Sequence, residues 1–354
     1  VGLVGNEASL TTSALGGGSH AITAVYSGDA NFTTSTSSVL TQVVDPAASV
    51  TVLTSNPNPS VYGNPVTLTA AVSVPVGSPS GTVEFFDGAT SLGSGPVSLG
   101  SAELVIASLG AGSHTITAVY SGDANFLPST SNPVTQVVDK ATTSVEVASS
   151  LNPSIRFNSV TFTASISVLT GVGNPTGTVQ FFDGATGLGS GTINAGTASI
   201  TIATLGNGNH TITAVYGGDA NFTGSTSPAL NQLVLRATTT TVTSNRTPAA
   251  SFGQNVTFTA RVRPVFNTNL VPTGTVQFSI DGLPVGGPIT LNFQGRATYS
   301  INTLPAGNHT VTAVYSGDGA IFAGSTSATF NQLVNRAAST TQLTWTPNTW
   351  RVNQ

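Results

Sequence analysis

The chain has 354 residues, no cysteine, and a formal net charge of −4, with charged residues making up only 6% of the total against roughly a quarter in an ordinary soluble domain. Without cysteine there are no disulfides and no thiolate metal sites, and without a run of Lys and Arg there is no surface built to neutralise phosphates, which argues against nucleic acid as a partner. Apolar residues, 39% of the chain, are regularly spaced, which argues against disorder, and no apolar stretch approaches the ~18 residues needed to span a bilayer.

The first recognisable element is the phrase Gly-Ser-His-Ala-Ile-Thr-Ala-Val-Tyr-Ser-Gly-Asp-Ala-Asn-Phe at 18–32. It returns in close variants at 112–126, 208–222 and 307–322, with His20, His114, His210 and His309 spaced 94, 96 and 99 apart. A period near 95 is one domain long, so the chain reads as a tandem array. Alignment on the histidines and on the joins gives a partial repeat at 1–45, whole repeats at 46–139, 140–235 and 236–335, and a partial repeat at 336–354. With no Met even at position 1, the chain reads as a window on a longer protein. The joins are two or three residues long and none is a Gly/Ser tether, so module orientation is expected to be restrained.

Within 46–139, Val66, Leu68, Ala70 and Val72 alternate with Thr67, Thr69 and Ala71, a period-2 strand with one apolar face; 160–166 and 256–262 repeat it. Gly81 to Gly88 predicts a strand ending in an Asp-Gly hairpin turn. Ala102, Leu104 and Ile106 predict another strand. His114, Ile116, Ala118 and Tyr120 share the face of the next, Phe126 plugs the end of the core, and 135–138 form the last strand. Seven or so short strands per ~95 residues, with no helical period, predict an all-β tandem array of immunoglobulin-like sandwiches. An up-and-down barrel fits such uneven strands less well.

Pro-x-Gly-Thr-Val-x-Phe at 79–85, 175–181 and 272–278, followed by Leu-x-x-Gly-x-His-Thr-Ile-Thr-Ala-Val-Tyr-x-Gly-Asp-Ala-Asn-Phe, resembles the bacterial immunoglobulin-like repeat domains. The resemblance covers essentially the whole chain. It implies an Ig-like fold, an extracellular, secreted or cell-surface setting, a stalk, adhesin or fibre role, and no enzymatic activity.

The candidate residues fall into three repeating sets. The four histidines are each separated from other ligand-type residues along the sequence, and are read as structural, each holding its own Leu-x-x-Gly-x-His corner through a ring nitrogen. Tyr26, Tyr120, Tyr216 and Tyr315 are read as core-strand residues. The turn residues Asp87, Asp123, Asp183, Asp219 and Asp318 are expected where modules meet, in small polar contacts, and no divalent cation or other cofactor is expected, because a calcium site wants several converging carboxylates. The only lysine, Lys140, rules out a Lys–Asn isopeptide staple in every module. Gln42, Gln136, Gln232 and Gln332 recur on the last strand, which leaves a Thr–Gln ester open beside the plainer reading of an exposed strand position. Trp345 and Trp350, both in the last fragment, lack the context that would mark a sugar-stacking pair.

The functional expectation is a non-enzymatic structural segment, three modules of ~35 Å making a rod of about 100 Å. The alternatives are an adhesive array whose Thr-rich faces bind a glycan, a host or cell protein or another copy of the chain, and the accessory domains of an enzyme encoded elsewhere in the same protein. The partners expected first are the neighbouring modules themselves.

Overall fold

In the computed structural model, residues 1–266 and 268–345 are described. Each whole repeat folds as two facing β-sheets, and among the described residues every regular element is a strand. In the first, Val50–Asn56, Val66–Ser73 and Ser101–Ile106 make a three-stranded antiparallel sheet with Val66–Ser73 in the centre. The facing sheet runs in the order Ser60–Val61, Val134–Asp139, Gly112–Tyr120, Thr82–Asp87, Thr90–Pro96, with Ser129–Thr130 added to the end of Gly112–Tyr120. Only Ser60–Val61 is parallel to its neighbour. The entering chain therefore belongs to one sheet through Asn56 and crosses to the other at Ser60, stitching the two layers together. The second repeat does the same with Thr143–Ser149 and Ser154–Ile155, the third with Thr238–Ser244 and Ala249–Ser251.

Alternation explains which residues face inward. Val66, Leu68, Ala70 and Val72 are buried, as are Ile116, Ala118 and Tyr120 opposite them. The strand written Thr-Val-x-Phe brings Val83 and Phe85 into the core, and Val179, Phe181, Val276 and Phe278 repeat them. Burying one such side chain stabilises the fold by about 2–3 kcal/mol. Three separate apolar clusters result, one per repeat. Phe126, Phe222 and Phe322 close one end of each core.

The hairpin after Asp87 needs a left-handed residue, and Gly88 supplies it at φ 56°. In the third repeat one more residue precedes the Asp-Gly pair, so the strand Thr275–Ile280 ends before it and Asp281 itself shares the turn with Gly282, both at positive φ. Residues 1–45 hold Gly18–Ile22 paired with Leu40–Val44, the same pairing as Gly112–Ile116 with Val134–Val138. No strand occurs in 336–345; the rest of the last partial repeat, expected to supply a first strand and including Trp350, lies outside the described residues. Trp345 is exposed.

Candidate functional site

The most distinctive polar cluster sits at the corner leading into the Gly112–Tyr120 strand. His114 Nε2 lies 2.9 Å from the Gly110 carbonyl oxygen, and Nδ1 lies 2.7 Å from Asp87 Oδ2. His210 repeats this with Gly206 and Asp183 at 3.0 and 2.6 Å, and His309 with Pro305 and Asp281 at 2.9 and 2.7 Å. The other oxygen of each aspartate accepts the next backbone N–H, from Thr115, Thr211 or Thr310. Both neighbours of the ring are acceptors. A neutral imidazole owns one N–H and can satisfy only one of them, whereas the imidazolium satisfies both. Burial is the largest influence on His114 and His309 and pulls their pKa down. The hydrogen bonds to aspartate and carbonyl, with the carboxylate charge, outweigh it, so both pKa values stand above that of free histidine.

His20, in the partial repeat, keeps the carbonyl contact, Nε2 to Gly16 O at 2.7 Å. The carboxylate half of the cluster is what the sequence reading missed. Its signal was present: the partner aspartate stands 27, 27 and 28 residues before the histidine.

The second aspartate set occupies the opposite end of each sandwich. Asp219 Oδ1 accepts the N–H groups of Asn221 and Phe222, and Oδ2 accepts the N–H and hydroxyl of Thr176. Asp123 does the same with Asn125, Phe126 and Ser80. Asp29 caps Asn31 and Phe32, and Asp318 caps Ala320, Ile321 and Phe322. For Asp123 and Asp219 burial alone would raise the pKa, but these donors outweigh it and bring both carboxyls down to about 2. The carboxylates of Asp87, Asp123, Asp183, Asp219 and Asp318 thus all bond inside their own repeat. Contrary to the expectation from sequence, none of them bridges two modules.

Tyr120, Tyr216 and Tyr315 are buried in their cores, and the Tyr315 hydroxyl donates to the Thr273 carbonyl at 2.5 Å. Burial first, then the charge of the turn aspartate, pushes Tyr216 and Tyr315 up to about 12. Tyr26, in the partial repeat, is only half-buried and donates to Asp29.

The last-strand glutamines correct a second expectation. Gln136, Gln232 and Gln332 are fully buried, not exposed. Gln136 Nε2 donates to Pro57 O, Ser60 Oγ and Val137 O, and its Oε1 accepts from Ser55. Gln232 repeats this with Leu151, Ser154, Leu233 and Ser149. The hydroxyls against the Gln136 and Gln232 amide oxygens are those of Ser55 and Ser149, not of a threonine. The amide instead buckles the sheet-crossing segment to the last strand.

What crosses the joints is backbone, asparagine and aromatic rings. Asn125 Oδ1 accepts Gly17 N at 2.7 Å from the repeat before it, and Asn221 Oδ1 accepts Ala111 N at 2.9 Å. At the latter joint Val172 N donates to Tyr62 O, and the Tyr62 ring packs edge-on against Phe222 at 5.4 Å, capping the core of the next module. A Cβ on Gly63 would lie 2.1 Å from the Val172 carbonyl oxygen. At the following joint Ala320 and Ile321 replace the asparagine, and Phe157, beneath the Arg156 guanidinium, meets Phe266 edge-on at 5.2 Å. The joints are therefore more apolar than the turn sequences imply, because Tyr62 and Phe157 come from the sheet-crossing segment, which sequence patterning left unassigned.

Among the described residues no three His, Cys, Asp or Glu side chains come together as a metal site, and no helix is long and apolar enough to cross a membrane. None of the curated proteins matches the sequence. Among solved structures, fibronectin(III)-like modules of Clostridium thermocellum CbhA share 20% identity over 56% of this chain and 100% of theirs, with a TM-score of 0.32. Invasin, a bacterial integrin-binding protein, shares 15% over 81% of this chain and 60% of its own, with a TM-score of 0.48. The ICAM-5 D1–D4 ectodomain fragment shares 10% over 81% and 77%, with a TM-score of 0.43. None of these likenesses extends to function. The model of the bacterial Ig-like domain (group 3) matches residues 2–45, 53–139, 147–235 and 240–335, and the chain belongs to that family.

Proposed function

We propose that the chain is a load-bearing, non-enzymatic segment of an extracellular bacterial structure, a stalk or fibre in which 46–139, 140–235 and 236–335 act as successive units. The observation that carries this reading is the joint. At Asp139–Ala141 the chain passes directly from one sandwich to the next, while Asn221 and Tyr62 engage residues across the boundary. Contacts of that kind restrain bending, which a spacer requires and a catalytic domain does not. The polar clusters fit the same reading, since each histidine and aspartate is committed to holding its own module's corner or turn. Neighbouring modules are the first partners, and other copies of the chain or a cell-surface molecule come after them.

Small-angle scattering on the full chain tests it. A stiff row of three ~35 Å units gives a maximum dimension above about 100 Å and a profile of limited flexibility. A profile of freely jointed domains removes the stalk reading.

A further inference from the structure

The third whole repeat carries a charge pattern the other two lack. Residues 236–335 contain five arginines against two aspartates, while 46–139 contain five acidic residues and no Lys or Arg. Three of those arginines converge. Arg261 and Arg296 stand directly opposite each other on neighbouring strands of the three-stranded sheet, and Arg263 is two residues along on the same outer face. Thr241 pairs with Arg261 and Thr239 with Arg263 on the adjoining strand. Together with Thr243 these side chains line an open groove of about 560 Å³.

Like charges placed directly opposite on a sheet destabilise it. Here nothing compensates: among the described residues the only ion pairs are the three His–Asp contacts. The Arg261 Nε is buried without a hydrogen-bond acceptor. Its burial, and then the charges of Arg263 and Arg296, hold the Arg261 pKa below the usual arginine value. The fold does not require this arrangement. The same three positions hold Ala71, Ser73 and Ser101 in the first whole repeat and Ser165, Ser167 and Thr197 in the second, where Glu146 takes the place of Thr241.

We propose that this sheet face is a binding site for an acidic polysaccharide, with Arg261, Arg263 and Arg296 holding its sulfate or carboxylate groups and the threonine row meeting its hydroxyls. Guanidinium forks suit planar or tetrahedral oxyanions, and a flat, hydroxyl-bearing sheet face suits a sugar chain. The groove offers no aromatic ring on which a nucleobase would stack. The site stands apart from the stalk reading, which survives its failure.

Calorimetric titration of the full chain with heparin, with hyaluronan and with uncharged dextran, at about 50 and 200 mM salt, tests the assignment. Heparin binding alone assigns sulfate, and binding of both anionic chains assigns carboxylate as well; either supports the site, with dextran silent and affinity falling at the higher salt. Each arginine removed is expected to weaken binding about tenfold. The combined variant Arg261→Ser, Arg263→Ser, Arg296→Thr rebuilds the second repeat's own surface, so it keeps its fold, and should abolish binding. Conversely, Glu146→Thr with Ser165→Arg, Ser167→Arg and Thr197→Arg should create a second site and double the stoichiometry. Binding of neither anionic chain overturns the proposal, as does unchanged affinity in the arginine variant or equal affinity for duplex DNA.

Discussion

The imidazole of His114 and the carboxylate of Asp87 meet at 2.7 Å, tying the start of one strand to the end of the neighbouring strand. His309 and Asp281 do the same at 2.7 Å. Because folded His114 and His309 hold their protons more tightly than free histidine, this contribution is complete below about pH 6.5 and is lost as pH rises through the folded pKa. The melting temperature of the full chain should therefore fall as pH rises above about 6.5. Replacing His114 and His309 by Gln should cost about 1 kcal/mol in each of their modules at pH 6 and flatten that slope. A slope that persists in the double variant rules out these histidines as its origin.

The turn aspartates carry the opposite dependence. With their pKa brought down to about 2, Asp123 and Asp219 contribute fully above about pH 4, and the contribution disappears as pH falls toward 2. Asp219→Ala removes the acceptor for four donors and should cost about 2 kcal/mol in its own module, read by hydrogen exchange across 176–222. Since both carboxylate oxygens are already engaged, EDTA should leave the melting temperature unchanged. A drop of several degrees would show a bound cation stabilising the native state by mass action.

Gln136 offers a sharper test of the sheet crossing. Gln136→Ala leaves the buried Ser60 hydroxyl without its partner and should cost about 2 kcal/mol. Because several modules unfold in one chain, a single melting curve does not isolate the effect. Loss of exchange protection along Ser60–Val61 and Val134–Asp139, with 236–335 unchanged, is the expected result.

Much of this architecture was legible because strands write their burial with a period of two. Val66 to Val72 and His114 to Tyr120 show which face is inward from sequence alone. The sheet-crossing segment was not legible. Ser60 and Val61 form a two-residue strand, too short for any periodicity, yet it places Tyr62 at the joint and Ser60 against Gln136. Repetition singles out the histidines, but it assigns Asp87 and Asp183 to the joints and does not single out Asp281, because an Asp-Gly turn signals the hairpin and not where the carboxylate points. Gln136 misled for a related reason: a polar residue in an alternating strand reads as solvent-facing unless its partners, here some 80 residues away, are known.

Close backbone approach at one joint makes its own prediction. Gly63 sits at φ 81°, and a methyl there would run into the Val172 carbonyl. Gly171 faces the Tyr62 carbonyl in the same way, a Cβ there lying 2.3 Å away. Gly63→Ala should lower module stability by only about 1 kcal/mol while loosening the joint, seen as greater flexibility in scattering and faster exchange of the Val172 amide. Unchanged scattering would mean that this contact does not set the bend.

Phe157 stands where Gly63 stands one repeat earlier, and it too adopts a positive φ, 72°. The two joints behave as unequal springs in series. Where Gly63 fits against bare backbone there is little room to slide, and the Tyr62 ring must leave Phe222 before the angle opens. Where Phe157 meets Phe266 edge-on, tilting costs less, because such contacts keep much of their strength as the rings shift. A pull along the chain would then be taken up first between 140–235 and 236–335. The basic face of the last whole repeat would turn relative to the rest before any sandwich gave way.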